Sequence, residues 1–381
     1  MENRIYLDHA ATSPIHPEVI QEMLGCITNS YGNPSSIHSA GRSARKTLDS
    51  AREKLAELIH ADEKEIVFTS GGTEGDNTAV IGTALKKADQ GKHIITTQIE
   101  HPAVLKSCAY LETKGFEVTY LAVDDHGVIR LDEFKKALRE DTILVSVMYG
   151  NNEVGSIQPI AEIGSLLEQH SATFHTDAVQ AFGLIQIDVK QLGVDLLTTS
   201  SHKINGPRGV GLLYVKDGTE LEFPFHGGEQ ERKRRPGTEN LAGICGFKKA
   251  AEIMTLERLE KIDDYNEYKK CMIQKFEDAG LNFEINGALK TTLPHIFSIR
   301  FHGVSVEQLL MNLDMEGIFV SSGSACTAGT VDPSHVLTAL FGENAPAVKE
   351  TVRISFGLGN TFDEIEEVAE KMITIVKRLA K

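Results

Sequence analysis

The chain has 381 residues, 41% of them hydrophobic and 24% charged, a profile of a soluble globular protein of two or three domains with a sizeable core. A net charge of -15 argues against broad nucleic-acid binding. The cysteines, Cys26, Cys108, Cys245, Cys271 and Cys326, are odd in number and widely spaced with no Cys-x-x-Cys, so they suggest neither a disulfide framework nor a zinc site or other metal centre.

The first residues, Met1-Glu2-Asn3-Arg4-Ile5-Tyr6, lack the basic-then-apolar pattern of a leader. No run approaches the roughly 18 apolar residues of a membrane span. The expected location is the cytoplasm. Leu48, Ala51, Leu55 and Leu58, spaced three, four and three apart, predict an early helix. A strand follows at 65–69, and then Thr69-Ser70-Gly71-Gly72-Thr73-Glu74-Gly75 opens a helical stretch. Small residues there would let backbone N–H groups and a helix dipole face a phosphate, with Gly72 and Thr73 in the cradle. The same run also suits an ordinary strand-to-helix turn. It is neither a Walker A motif nor Gly-x-Gly-x-x-Gly, so no nucleotide is implied.

The strand at 93–97 leads to Glu100-His101-Pro102. The His101 imidazole would suit stacking on a flat ring, or simply a loop facing solvent. Strands at 117–123 and 142–149 follow, the second closed by Asn151-Asn152-Glu153, where Asn152 is either an amide for a ligand oxygen or part of a polar turn. The strand at 173–176 ends on Asp177-Ala178-Val179-Gln180. A carboxylate at Asp177 would keep a cofactor ring nitrogen protonated, with Gln180 within reach of a neighbouring ring substituent. Alternatively, Asp177 caps the next segment. The strand at 195–199 runs into Ser200-Ser201-His202-Lys203. Lysine is rarely buried, and an amine held neutral forms a Schiff base with an aldehyde. Ser200 and His202 beside it would hold a phosphate. The competing reading is a surface lysine before a glycine-rich loop.

After a strand at 209–215 comes a basic run at 232–235, too short on an acidic protein to argue for nucleic acid and better read as a subunit contact. The texture changes near 256, where a charged helix at 256–279 leads to strands at 297–301 and 319–321. Ser321-Ser322-Gly323-Ser324-Ala325-Cys326 has no apolar period, which makes Cys326 the best candidate for an accessible thiolate nucleophile, against the alternative of an inert loop thiol. Arg353, on the alternating run 351–355, would grip a substrate carboxylate or form a structural salt bridge. The last helix opens on the capping pattern Thr361-Phe362-Asp363-Glu364 and carries the stripe Ile365, Val368, Met372, Ile375, Leu379. The alternation predicts an α/β fold whose mostly parallel central sheet is flanked by helices, with a smaller α+β domain. The expected division is 16–255 against 1–15 plus 256–381. The polar groups fall at the C-terminal ends of successive strands, the edge where open α/β sheets bind ligands.

Together these segments resemble the cysteine desulfurases of the class V aminotransferase superfamily. The likeness covers nearly the whole chain, from Tyr6-Leu7-Asp8-His9-Ala10-Ala11-Thr12 to Arg353. Its most specific pieces are Ser200-Ser201-His202-Lys203, His175-Thr176-Asp177-Ala178-Val179-Gln180 and Ser322-Gly323-Ser324-Ala325-Cys326, the last similar to the group with a long cysteine loop. The resemblance implies a type I pyridoxal-phosphate fold, a homodimer and L-cysteine as substrate. It implies Lys203 as the lysine that takes the pyridoxal 5'-phosphate aldehyde, Asp177 on the ring nitrogen, Gln180 on the ring oxygen and His101 stacked on the ring. Thr73, Ser200 and His202 would hold the phosphate, with Thr238 reaching that of the second subunit. Asn152 and Arg353 would bind the substrate carboxylate, and Asn33 would line the pocket. Sulfur would pass to Cys326 as a persulfide and then to an acceptor protein, an iron–sulfur scaffold or a tRNA-thiolation enzyme, with no direct nucleic-acid or membrane partner. An aminotransferase, a selenocysteine lyase and a non-catalytic scaffold remain as alternatives.

Overall fold

The computed structural model describes residues 4–288, 291–323 and 333–380. After strand β1 (Ile5–Tyr6) and the helices Pro17–Asn29 and Ser39–Glu57, short runs rich in β-branched residues form β2 (Ile66–Thr69), β3 (His93–Thr97), β4 (Glu117–Leu121), β5 (Thr142–Ser146), β6 (Thr173–Asp177), β7 (Leu196–Ser200) and β8 (Gly211–Val215). Among the described residues these seven make one sheet in the order β2-β8-β7-β6-β5-β3-β4. The pairings from β4 through β3, β5 and β6 to β7 are parallel, whereas β8 runs antiparallel to both β7 and β2. The inner strands, covered on both faces, are fully buried, which is why β3, β5 and β6 read as unbroken runs without alternation.

Parallel neighbours need crossovers, and the helices Gly72–Lys86, Pro102–Glu112, Leu131–Ala137 and Ile160–Leu167 lie between the strands in sequence. The early helix buries Leu48, Ala51 and Leu55, three members of the expected stripe. The strand expected at 142–149 ends at Ser146, yet Val147 and Tyr149 still donate to β6 carbonyls at 3.1 and 2.8 Å, so the chain stays against the sheet to Tyr149.

The C-terminal third contributes β9 (Phe283–Ile285), β10 (Ile296–Phe301), β11 (Ile318–Phe319) and β12 (Thr351–Ser355), with β12-β10-β9 as an antiparallel sheet. The charged helix expected from 256 begins earlier, as one 38-residue helix, Leu241–Asp278, so the expected domain boundary falls inside a continuous helix. Its early part carries Gly243 and Gly246. A Cβ on Gly246 would meet Met23 Cγ at 2.8 Å, so the glycine lets this helix approach Pro17–Asn29 closely. The last helix, Phe362–Leu379, has the expected Thr361–Glu364 capping box and buries Ile365, Val368, Met372 and Ile375.

The N-terminal segment ties the two parts together. β1 pairs in parallel with β11, Asp8 bridges to Ser355 beside it, and residues 10–13 then reach the end of β7. No described helix is long and apolar enough to cross a membrane.

Candidate active site

The C-terminal ends of β2, β6 and β7 converge on one polar region. The turn after β2 starts the helix Gly72–Lys86 with Gly71 at φ +148° and no side-chain cap. The N–H groups of Gly72, Thr73 and Glu74 make no hydrogen bond to described residues, as expected of a first helical turn waiting for an anion. Ser70, Gly72, Thr73, Ser200, His202, Arg208 and Thr12 share the walls of a cavity of about 340 Å³ there. His202 Nδ1 lies 3.2 Å from Thr12 Oγ1, and burial, then the charges of Lys203 and Arg208, push its pKa down to about 4, so the ring is neutral at working pH. Thr12 and Arg208 are two members of this cradle that the sequence did not single out. Their signal was faint, since neither lies in the strand-end runs. Glu74 closes one side, accepting from Ser70 N at 2.9 Å and from Arg235 Nε at 3.0 Å.

Lys203 ends the short turn Ser201–Lys203 that follows β7. Its Nζ donates to the carbonyls of Ala10 at 2.6 Å and Ala11 at 2.9 Å. Burial lowers its pKa to about 8, with Arg353 pushing the same way and Asp177 and Asp8 opposing. Asp177, the last residue of β6, is buried, and its Oδ1 accepts from Val179 N at 2.9 Å in a turn rather than at a helix start. Its other oxygen has no partner among the described residues. Burial raises the Asp177 pKa, and the charges of His101 and Lys203 pull it back. Nearby Asp76 and Glu100 are raised by burial too, Glu100 to about 8, with like charge adding to the effect. Of these acids Asp177 is the one with a lysine charge, that of Lys203, among the groups that pull its pKa back down. Beneath it, His175 is wedged between Ser146 Oγ at 2.8 Å and Thr198 Oγ1 at 3.0 Å, and burial takes its pKa to about 3.

His101 caps the helix Pro102–Glu112, its Nδ1 accepting from Ala103 N at 3.1 Å. A neutral ring therefore carries its proton on Nε2. Burial lowers its pKa, and Asp177 counters. Gln180 donates from Nε2 to Ala10 O at 2.9 Å, and its Oε1 receives His295 Nε2 at 3.2 Å, which fixes the amide orientation. Arg353 on β12 forms a structural salt bridge, one of the two roles expected of it. It sits in the site region, and it is salt-bridged, with Nη2 to Asp8 Oδ1 at 2.8 Å and Nη1 to the Asn152 carbonyl at 2.9 Å. The Asn152 side chain makes no hydrogen bond among the described residues.

Two expected members stand apart. Asn33 is exposed and closes a local turn, accepting from Ser35 N at 2.9 Å, and Thr238 is exposed three residues after the Arg235–Glu74 pair. Cys326 lies outside the described residues. The site still fits an aldehyde-bearing, phosphorylated heterocycle. Among the described residues it has a desolvated lysine, a buried carboxylate with one unbonded oxygen, a histidine whose charge acts on that carboxylate and a helix start with unbonded N–H groups beside Ser200.

The class-V aminotransferase family model matches residues 5–368. IscS 1 of Bacillus subtilis (strain 168) is 56% identical over 376 residues, covering 99% of each chain. The cysteine desulfurase IscS of Dictyoglomus turgidum is 45% identical over 384 residues, covering 98% of this chain and 97% of the relative. A solved NifS-like protein superposes with a TM-score of 0.92 at 35% identity, covering 99% of this chain and 100% of that one.

Proposed function

The chain belongs to the class-V aminotransferase family, among its pyridoxal-phosphate-dependent cysteine desulfurases, and we propose from this premise that it moves the sulfur of L-cysteine onto Cys326 and then to an acceptor protein. The bound cofactor supplies an aldehyde for the substrate amine and a ring that takes up the electron pair left at the α-carbon. Lys203 is the residue that would hold that aldehyde. Once released, its amine removes the α-proton, a task suited to a base whose pKa burial has brought to about 8. Asp177 would keep the ring nitrogen protonated, His101 would stack on the ring, and Gln180 would donate to the ring oxygen. The N–H groups at Gly72 and Thr73, with Ser200 and His202, would hold the phosphate, joined by Thr238 from the second copy of a homodimer. Arg353 and Asn152 bind the substrate carboxylate, whereas Asn33 lies in an exposed turn apart from them within this chain.

Cys326 thiolate then attacks the substrate sulfur. An S–S bond forms and the substrate's carbon–sulfur bond breaks. The electron pair stays with the carbon fragment, which leaves as L-alanine after protonation, and Cys326 carries the persulfide. The acceptor is an iron–sulfur scaffold or a tRNA-thiolation enzyme of the cytoplasm. We assign the cofactor domain to 16–255 and the cysteine-bearing domain to 1–15 plus 256–381.

The observation that supports this most is the lysine amine just after β7, desolvated and without a carboxylate partner among the described residues, near an Asp177 with one oxygen that no described residue bonds. Borohydride reduction of the holoenzyme, followed by peptide mass mapping, should tag Lys203, and Cys326→Ala should keep the visible cofactor absorbance while losing sulfide release. A tag on another lysine, or full sulfide output from Cys326→Ala, overturns the assignment.

A further inference from the structure

Arg353 is 3% exposed, and both of its terminal nitrogens already have partners. Nη1 faces the carbonyls of Asn152 at 2.9 Å and Gly323 at 3.5 Å, and Nε is sealed in the interior with no partner among the described residues. That leaves Nη2, and Nη2 is bound by Asp8 Oδ1 at 2.8 Å. Nη2 has a second N–H, so a ligand carboxylate that comes to this arginine meets Asp8 at the same nitrogen and competes with it there. The backbone of Asp8 is fixed: its carbonyl accepts from Tyr6 Oη and Ala11 N, both at 3.0 Å, and the residue bridges to Ser355. Only the side chain has to swing, and it retains 22% exposure where the arginine side chain has 4%.

We propose that Asp8 is a built-in competitor for the carboxylate seat of Arg353, displaced when an amino acid binds and returning as the product leaves. The proposal deepens the reading of Arg353 given above and rests on it. The exchange is of like for like, one charge-assisted hydrogen bond for another, so the seat yields little net affinity. Two carboxylates beside one guanidinium also repel one another. The consequence is a weak hold on the amino-acid product, which favours turnover over tight binding.

The opposite role predicts the opposite sign. If Asp8 only steers Arg353 into place, neutralising it should weaken amino-acid binding. Asp8→Asn keeps an oxygen for Nη2 but removes the charge, so the bond becomes the weaker neutral kind. Titrating L-alanine into the holoenzyme by calorimetry should give a Kd about tenfold lower for Asp8→Asn than for the natural protein. KM for cysteine should fall with it, while kcat stays level or drops as product release slows. Asp8→Ser, which removes the carboxylate with a smaller side chain, should move the Kd in the same direction and serves if the asparagine variant folds poorly. Unchanged or weaker alanine binding in both variants overturns the proposal. Arg353→Gln separates the two levels. Loss of alanine binding there with no gain at Asp8 sinks the competitor alone, whereas unchanged binding in Arg353→Gln sinks the carboxylate reading and the proposal with it.

Discussion

At the scale of single residues, Lys203 carries the sharpest pH signature. Its pKa is lowered from 10.5 to about 8 chiefly by burial, so the folded chain sheds a proton there while the unfolded chain still holds one. Between about 8 and 10.5 the unfolded state binds more protons, and this lysine makes stability rise with pH across that window. Below about 8 the amine is charged and cannot attack an aldehyde. Loading of pyridoxal phosphate into the apoprotein should therefore accelerate roughly tenfold per pH unit up to about 8 and then level off. Stopped-flow absorbance checks this, and a rate that climbs steadily past pH 9.5 would place the amine in ordinary solvent. The lysine itself was legible in the sequence as a charged residue at the end of an apolar run. Its partners were not. Nζ is held by the carbonyls of Ala10 and Ala11, and a backbone oxygen leaves no trace in residue type. Asp8 on Arg353 was hidden for a related reason, because 345 residues separate the two in the chain.

At the scale of elements, legibility tracked the apolar pattern. β3 occupies 93–97 as its unbroken run predicts, and the Thr361 cap fixes the start of the last helix. The antiparallel direction of β8 was not legible, since a fully buried strand has the same composition in either direction. The part of the long helix before residue 256 was masked by glycines that serve close packing. The start of β8 bears on the site. A Cβ on Gly211 would lie 2.5 Å from Thr199 O and 2.9 Å from Gly71 Cα, both backbone atoms that cannot rotate aside. Gly211→Ala should thus push the turn that cradles the phosphate away from the sheet. We expect a loss of about 1–3 kcal/mol in urea unfolding. Weaker cofactor retention on dialysis should accompany it, whereas a stability loss with retention unchanged would detach this contact from the cradle.

At the scale of the whole molecule, the helix Pro17–Asn29 leaves Ile20, Leu24 and Ile27 exposed at spacings of four and three, and Tyr31 and Ile37 just beyond it are 83% and 92% exposed. An apolar stripe of that kind marks a surface for another chain. Arg235 reaches the phosphate cradle through Glu74 within the same chain, yet Thr238 three residues on stays exposed, as a residue destined for a second copy would. Complementation decides between the arrangements. In a mixed dimer of Lys203→Ala and Thr238→Ala chains, a threonine acting across the interface leaves one site with both groups intact. A threonine acting within its own chain leaves both sites broken. At cofactor levels too low to load the Thr238→Ala dimer, random reassortment should restore roughly a quarter of the natural activity if Thr238 acts across a two-fold interface. No recovery on mixing, with subunit exchange verified by differently tagged chains, would return Thr238 to its own chain and remove the main reason for the site to need a dimer.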